Sequence, residues 1–101
     1  MPARILVVDD EPNILATLAP LLRTRGYDVS TAMNGRGALE AVEREEPDLI
    51  VLDLGLPDMD GVDVCRLVRD GRSTPIVVLS ARGAEFRLTS ILLASLAAGP
   101  P

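Results

Sequence analysis

Acidic or hydroxyl side chains follow three aliphatic runs of this 101-residue sequence. Asp9 and Asp10 follow the first run, Asp53 follows a later one and Ser80 follows the last. In open α/β sheets, ligands bind outside the carboxyl ends of the strands, so these side chains are expected to share one edge. Three carboxylates that meet there repel one another, and a hard divalent cation would relieve the repulsion. The pattern therefore predicts a Mg²⁺ site that can hold a phosphoryl group and transfer it to a carboxylate.

Single acids after a strand also have a simpler explanation, because helix N-caps and turns favour Asp. That explanation is preferred for Asp58 and Asp60, which lie in the loop segment after Asp53. It is disfavoured for the strand-end acids, because they recur at one expected sheet edge. Cys65 lies on the apolar face of a predicted helix, and a position in the core is expected for it.

Hydrophobic periodicity predicts the alternating elements that must position the strand-end residues. Three runs are apolar at every position, as in strands buried on both faces of a parallel sheet, and they cover residues 5–8, 49–52 and 76–79. Residues 27–32 are predicted as a further strand. Apolar residues at helical spacing predict three intervening helices, with a kink at Pro20 in the first. This alternation is typical of an α/β doubly wound parallel sheet.

Composition excludes several classes of function. The sequence contains no His and no Lys, which removes Ser-His-Asp catalysis, zinc–histidine sites, Schiff-base chemistry and a P-loop lysine. Its net charge of −5 argues against binding of nucleic acid by this chain. No apolar run has transmembrane length, and the start of the chain lacks the pattern of a signal peptide. A cytoplasmic protein without a membrane partner is expected.

Three blocks of the sequence together resemble the response-regulator receiver domains of bacterial two-component signalling. They are VVDDEP at residues 7–12, LDLGLPDMDG at 52–61 and VLSAR at 78–82. The resemblance covers residues 3–84, which are predicted to form one receiver-like domain. Among receiver domains, the sequence most resembles the subfamily that is fused to a winged-helix DNA-binding domain. The resemblance implies a flavodoxin-like sheet with the strand order 2-1-3-4.

The resemblance also implies a role for each residue of the predicted site. Asp53 would be the phosphoacceptor that takes phosphate from a sensor histidine kinase, and Ser80 would be the switch hydroxyl. Asp10 would bind Mg²⁺ directly and Asp9 would support it through water. Asp53 and the backbone carbonyl of Gly55 would complete the metal site. The implied function is a signalling switch, not an enzyme beyond self-phosphorylation and autodephosphorylation.

The sequence after residue 84 departs from the family pattern. The family has a further helix and a fifth strand that ends in a lysine, but this chain has no Lys and no strand pattern after Ser80. Residues 85–101 are predicted to form an atypical apolar tail, with a helix over 88–97 that packs on the sheet or on a second copy. A homodimer through that helix or through the open sheet edge is left open.

Two other functions stay open beside the phosphoryl-accepting switch. The first is a receiver-like module that docks a kinase or another partner without being phosphorylated, which the missing lysine favours. The second is a Mg²⁺-dependent aspartyl phosphatase. That class typically has a second acid two residues after its nucleophile, where this chain has Gly55, and it is therefore the weaker alternative.

Overall fold

The computed structural model describes residues 2–79, in which helices connect the strands of a four-stranded parallel sheet. The elements are β1 (Arg4–Val8), α1 (Pro12–Thr24), β2 (Asp28–Ala32), α2 (Gly35–Glu45), β3 (Leu49–Asp53), α3 (Gly61–Arg69) and β4 (Ile76–Leu79). The strand order is β2-β1-β3-β4, which confirms the predicted doubly wound arrangement. Ser80 and the helix predicted over 88–97 lie outside the described residues. Within residues 2–79, no helix is both long and apolar enough to span a bilayer.

Parallel pairing brings the carboxyl ends of β1 and β3 to the same level. Val8 of β1 lies opposite Leu52 of β3. The next residues along the two strands, Asp9 and Asp53, therefore lie side by side at one edge of the sheet. The N–H of Asp9 donates to the carbonyl of Ala32 at 3.0 Å, which extends the pairing of β1 with β2 to this acid. The backbone of Asp9 is thus held in the sheet.

The sheet is buried on both faces, as its continuously apolar strands require. The larger apolar cluster lies on the face covered by α2 and α3, and the smaller one lies against α1. The larger cluster contains Leu6, Val8, Ala32, Ala38, Ala41, Val42, Ile50, Leu52, Val64, Val68 and Ile76. The smaller cluster contains Ile5, Val7, Ala19 and Val29. Cys65, for which the sequence predicts a core position, is half-buried and packs against the edge of the larger cluster.

Helix α1 begins with a proline and continues through a second one. Pro12 is at the start, where a missing N–H removes no helical hydrogen bond. Pro20 lies inside the helix and does not end it. The Thr24 hydroxyl donates to the carbonyl of Pro20 at 2.8 Å, close to the end of the helix. Gly26 follows with φ of 92°, a left-handed conformation that glycine adopts without strain, and leads the chain into β2.

Helices α2 and α3 both begin near the acidic edge, and each has a side-chain cap. The side chain of Asn34 accepts the N–H of Gly37 at 2.7 Å. The side chain of Asp60 accepts the N–H of Val62 at 2.9 Å. These bonds satisfy amides that have no partner inside the helix. The interpretation of Asp60 as a cap or turn residue is confirmed.

Candidate acidic site

Three carboxylates meet at the edge of the sheet where β1 and β3 end. One carboxylate oxygen from each of Asp9, Asp10 and Asp53 lies within 4.8 Å of the other two. Asp9 and Asp53 are 4% and 2% exposed, whereas Asp10 is exposed to solvent. The structure therefore brings together the three acids that the sequence predicts to meet. Ser80, the fourth predicted side chain, is not among the described residues.

Local backbone amides hold the two buried carboxylates. Oδ1 of Asp9 accepts the N–H of Glu11 at 2.8 Å. Oδ1 of Asp53 accepts the N–H of Gly55 at 3.1 Å. Each bond joins an aspartate to the residue two positions later, the usual geometry of an Asp side chain at a turn. Both carboxylates are thus oriented by the loops that follow their strands.

The cluster concentrates negative charge in a partly dry environment. Burial raises the pKa of Asp9 above 3.8, because burial disfavours the charged form. The N–H of Glu11 opposes that shift, and the negative charges of Asp53 and Asp10 add to it. The ion pairs found among residues 2–79 include none of the three clustered acids. In that part of the chain, no such pair offsets the repulsion.

The donor set fits a hard divalent cation. Mg²⁺ prefers oxygen ligands and is commonly held by one or two carboxylates together with water and phosphate oxygens. The adjacent carboxylate oxygens supply such ligands, and none of the ion pairs found among residues 2–79 brings an arginine to them. A Cβ on Gly55 would lie 3.7 Å from Oδ1 of Asp53, so this glycine lies against the acidic site. Its predicted role as a carbonyl ligand stays a prediction.

Asp58 makes a contact that the sequence analysis missed. Its carboxylate accepts the N–H of Gly35 at 2.7 Å and that of Arg36 at 2.9 Å. These bonds lower the pKa of Asp58, with the Arg36 N–H as the larger cause. The sequence predicts that a helix begins here, and the first N–H groups of a helix need hydrogen-bond partners outside it. Nothing in the sequence indicates that the partner is an acid 22 and 23 residues away.

Gly61 closes the loop between β3 and α3, and its side-chain position is occupied by Leu54. The N–H of Gly61 donates to the carbonyl of Leu54 at 3.2 Å. A Cβ on Gly61 would lie 2.5 Å from the Cα of Leu54, an atom that moves only with the backbone. We expect Gly61→Ala to lower the free energy of unfolding by about 1–3 kcal/mol, because overpacking displaces the chain.

Urea unfolding of the two glycine variants Gly61→Ala and Gly55→Ala measures this effect. Gly55→Ala is the matched control, since its new methyl group would make ordinary contacts at 3.7 Å. We expect the control to lose clearly less stability than Gly61→Ala. An equal loss in both variants would show that crowding against Leu54 is not the cause.

Comparison with known proteins identifies the family. The family described as response regulator receiver domain matches residues 5–97. The chain belongs to this family. Response regulator receiver domains are signalling domains and not classical enzymes, and the family generally binds Mg²⁺ at an acidic pocket of the kind found here. The match extends past residue 84, where the sequence analysis ends the receiver-like segment, and that boundary stays a prediction.

Curated relatives of this receiver domain are transcriptional regulators. The transcriptional regulatory protein KdpE of Mycobacterium tuberculosis is 53% identical over 78 residues, which are 77% of this chain and 34% of KdpE. The alkaline phosphatase synthesis transcriptional regulatory protein PhoP of Bacillus subtilis is 48% identical over 87 residues, which are 85% of this chain and 36% of PhoP. The chain thus spans about a third of the length of the relatives that it matches.

Solved structures of other receiver domains share the fold. A CheY-like receiver domain protein from Methanospirillum hungatei has a TM-score of 0.80 and 29% identity, over 98% of this chain and 77% of that one. The chemotaxis protein CheY4 of Vibrio cholerae has a TM-score of 0.79 and 30% identity, over 98% of this chain and 82% of that one. The predicted flavodoxin-like receiver fold is therefore confirmed.

Proposed function

We propose that this receiver domain accepts a phosphoryl group on Asp53 with the help of Mg²⁺ and acts as a signalling switch. The phosphohistidine of a sensor histidine kinase is the proposed donor, and the cytoplasm is the proposed location. One observation carries the proposal: the buried Asp53 carboxylate lies with those of Asp9 and Asp10 at the carboxyl edge of the sheet. Membership of the receiver family supports it.

Asp53 is the nucleophile of the proposed reaction. Its Oδ1 is engaged by the N–H of Gly55, so Oδ2 is the oxygen assigned to attack phosphorus. A P–O bond forms to Asp53 as the P–N bond of the phosphohistidine breaks, and the released imidazole nitrogen keeps the electron pair. The roles of Ser80 and of residues beyond it stay predictions.

The remaining acids are proposed to hold the cation. Asp10, Asp53 and the Gly55 carbonyl would bind it, and Asp9 would support it through water. Bound Mg²⁺ would neutralise the negative charge that a phosphoryl group brings to a cluster of carboxylates. The exposure of Asp10 leaves this side of the cluster open to solution, while the N–H of Glu11 holds Asp9 in place.

A docking module that is not phosphorylated is the second candidate function. The observation that favours it is the complete absence of Lys from the sequence. In the family a lysine contacts the phosphoryl group, and a comparable hydrogen-bond donor to developing negative charge is typically worth about 2.7–4 kcal/mol. Loss of this donor would slow phosphoryl transfer, but it would not prevent a partner from binding to the surface of the domain.

Intact-mass spectrometry of the full chain separates the two candidates. The protein is treated with acetyl phosphate, a small-molecule phosphoryl donor, in MgCl₂ or in EDTA. We expect one phosphoryl group to be added in MgCl₂ and none in EDTA, and the adduct should be lost in alkali, as an acyl phosphate is. Absence of the adduct under both conditions would overturn the proposed function and support the docking module.

A further inference from the structure

Contacts outside the acidic cluster tie the loop of residues 54–60 to α2. Oδ1 of Asp58 accepts the N–H of Gly35 at 2.7 Å, and its Oδ2 accepts the N–H of Arg36 at 2.9 Å. Both oxygens of one carboxylate therefore serve the first turn of α2. A Cβ on Gly35 would collide with the side chain of Met59, so the loop and the helix also pack closely.

The same loop is fastened to β3 at its two ends. The N–H of Gly55 donates to Oδ1 of Asp53, and the N–H of Gly61 donates to the carbonyl of Leu54. The loop thus begins beside the proposed phosphoacceptor and ends at the start of α3. Its middle is held by Asp58 to a helix that precedes it by 22 and 23 residues in the chain.

We propose that Asp58 is a positioning residue for the acidic site: by holding the loop on α2, it fixes the segment that carries Gly55 and thereby strengthens binding of the divalent cation. This inference rests on the proposed Mg²⁺ site and adds to it a residue from outside the cluster. Asp58 acts through the loop and does not itself contact the cation.

The chemistry of the two bonds makes them suited to this role. Hydrogen bonds to an ionised carboxylate are shorter and stronger than those between neutral groups. The N–H groups of Arg36 and Gly35 lower the pKa of Asp58, because both bonds stabilise its charged form. Groups that hydrogen-bond directly to metal ligands typically change affinity by about 10–100-fold when they are removed, and the lower end of that range is the effect expected of a residue that acts through the loop.

Two substitutions of Asp58 separate position from charge. Asp58→Ala removes both acceptor oxygens, whereas Asp58→Asn keeps one of them, and both remove the same negative charge. Two controls complete the set. Asn34→Ala removes the other side-chain cap of α2, the bond to the N–H of Gly37, without touching the loop. Asp63→Asn removes a negative charge from the first turn of α3.

Calorimetric titration of each full-length variant with MgCl₂ gives the first readout. We expect Asp58→Ala to weaken binding about tenfold or more and Asp58→Asn to weaken it by less. We expect Asn34→Ala and Asp63→Asn to bind Mg²⁺ within about twofold of the unaltered chain, because neither side chain bonds to the loop that carries Gly55.

Amide hydrogen exchange without metal gives the second readout. In Asp58→Ala we expect faster exchange at Gly35 and Arg36, which lose their acceptors, and also at Gly55 and Gly61, which lie in the freed loop. In Asn34→Ala we expect faster exchange at the start of α2 alone. This readout measures the position of the loop and does not require phosphorylation.

Three results would overturn the proposal. Equal loss of affinity in both Asp58 variants and in Asp63→Asn would assign the effect to charge. Faster exchange at Gly35 with unchanged Mg²⁺ affinity and unchanged exchange at Gly55 would make Asp58 a simple helix cap. If the unaltered chain does not bind Mg²⁺, the proposed function fails, and unchanged exchange at Gly55 then rejects loop positioning separately. If Asp58→Ala does not fold, Asp58→Asn compared with Asp63→Asn carries the same test.

Discussion

Replacement of Asp53 by Asn is expected to abolish the phosphoryl incorporation that acetyl phosphate and Mg²⁺ produce in the unaltered chain. An amide is not a nucleophile toward phosphorus under these conditions, so the step has no acceptor. The Asn side chain keeps the size of Asp and an oxygen that can accept the N–H of Gly55. The variant should therefore stay folded, and intact-mass spectrometry should find no phosphoryl adduct on it.

Asp63→Asn is the matched control for this substitution. Asp63 is an exposed acid in the first turn of α3, and its ion pair with Arg66 is 3.8 Å long. Loss of this charge should leave incorporation unchanged. Phosphate retained by Asp53→Asn, on Ser80 or elsewhere, would contradict the assignment of the acceptor. Incorporation by the unaltered chain in EDTA would contradict the role of the metal.

The acidic cluster could be predicted because its position depends on topology. Strands that are apolar at every position indicate a parallel sheet, and the carboxyl ends of parallel strands meet at one edge. That argument predicts from the sequence that Asp9, Asp10 and Asp53 meet, and in the structure one carboxylate oxygen of each lies within 4.8 Å of the other two. The exact bounds of the strands were less predictable. β2 begins at Asp28, one residue later than predicted, because pairing begins with the bond from the Asp28 N–H to the Ala3 carbonyl.

The two hydrogen bonds between α2 and the Asp58 carboxylate could not be predicted in this way. An Asp after a proline in a short loop has a sufficient local explanation as a turn residue. Its actual partners are the amides of Gly35 and Arg36, which reach it only because the sheet order places α2 beside the loop after β3. Side-chain contacts between distant segments depend on three-dimensional packing and leave no periodic signal in the sequence.

Mg²⁺ is expected to raise the melting temperature of the full chain, and Asp10→Ala is expected to remove that effect. A ligand that binds only the folded state stabilises it by mass action, by about 2.7 kcal/mol at a concentration one hundred times its Kd. Asp10 is the exposed member of the cluster, so its removal subtracts a ligand without opening a buried cavity. In EDTA the variant should be at least as stable as the unaltered chain, because one repulsive charge has gone.

The stability of the metal-free chain and its stabilisation by Mg²⁺ are both expected to change with pH. Burial, followed by the negative charges of Asp53 and Asp10, raises the pKa of Asp9 above 3.8, although the N–H of Glu11 opposes the shift. Between 3.8 and that raised pKa the folded state binds more protons than the unfolded state, so the contribution of Asp9 to stability in EDTA falls as the pH rises through this window. Stabilisation by Mg²⁺ should grow over the same window, because ionisation of Asp9 adds a negative charge beside the bound cation. Thermal melts in EDTA and in MgCl₂ across this pH range, with Asp63→Asn as the charge control, measure both trends. If Mg²⁺ raises the melting temperature of Asp10→Ala as much as that of the unaltered chain, Asp10 is not a ligand, because loss of a ligand must weaken binding of the cation.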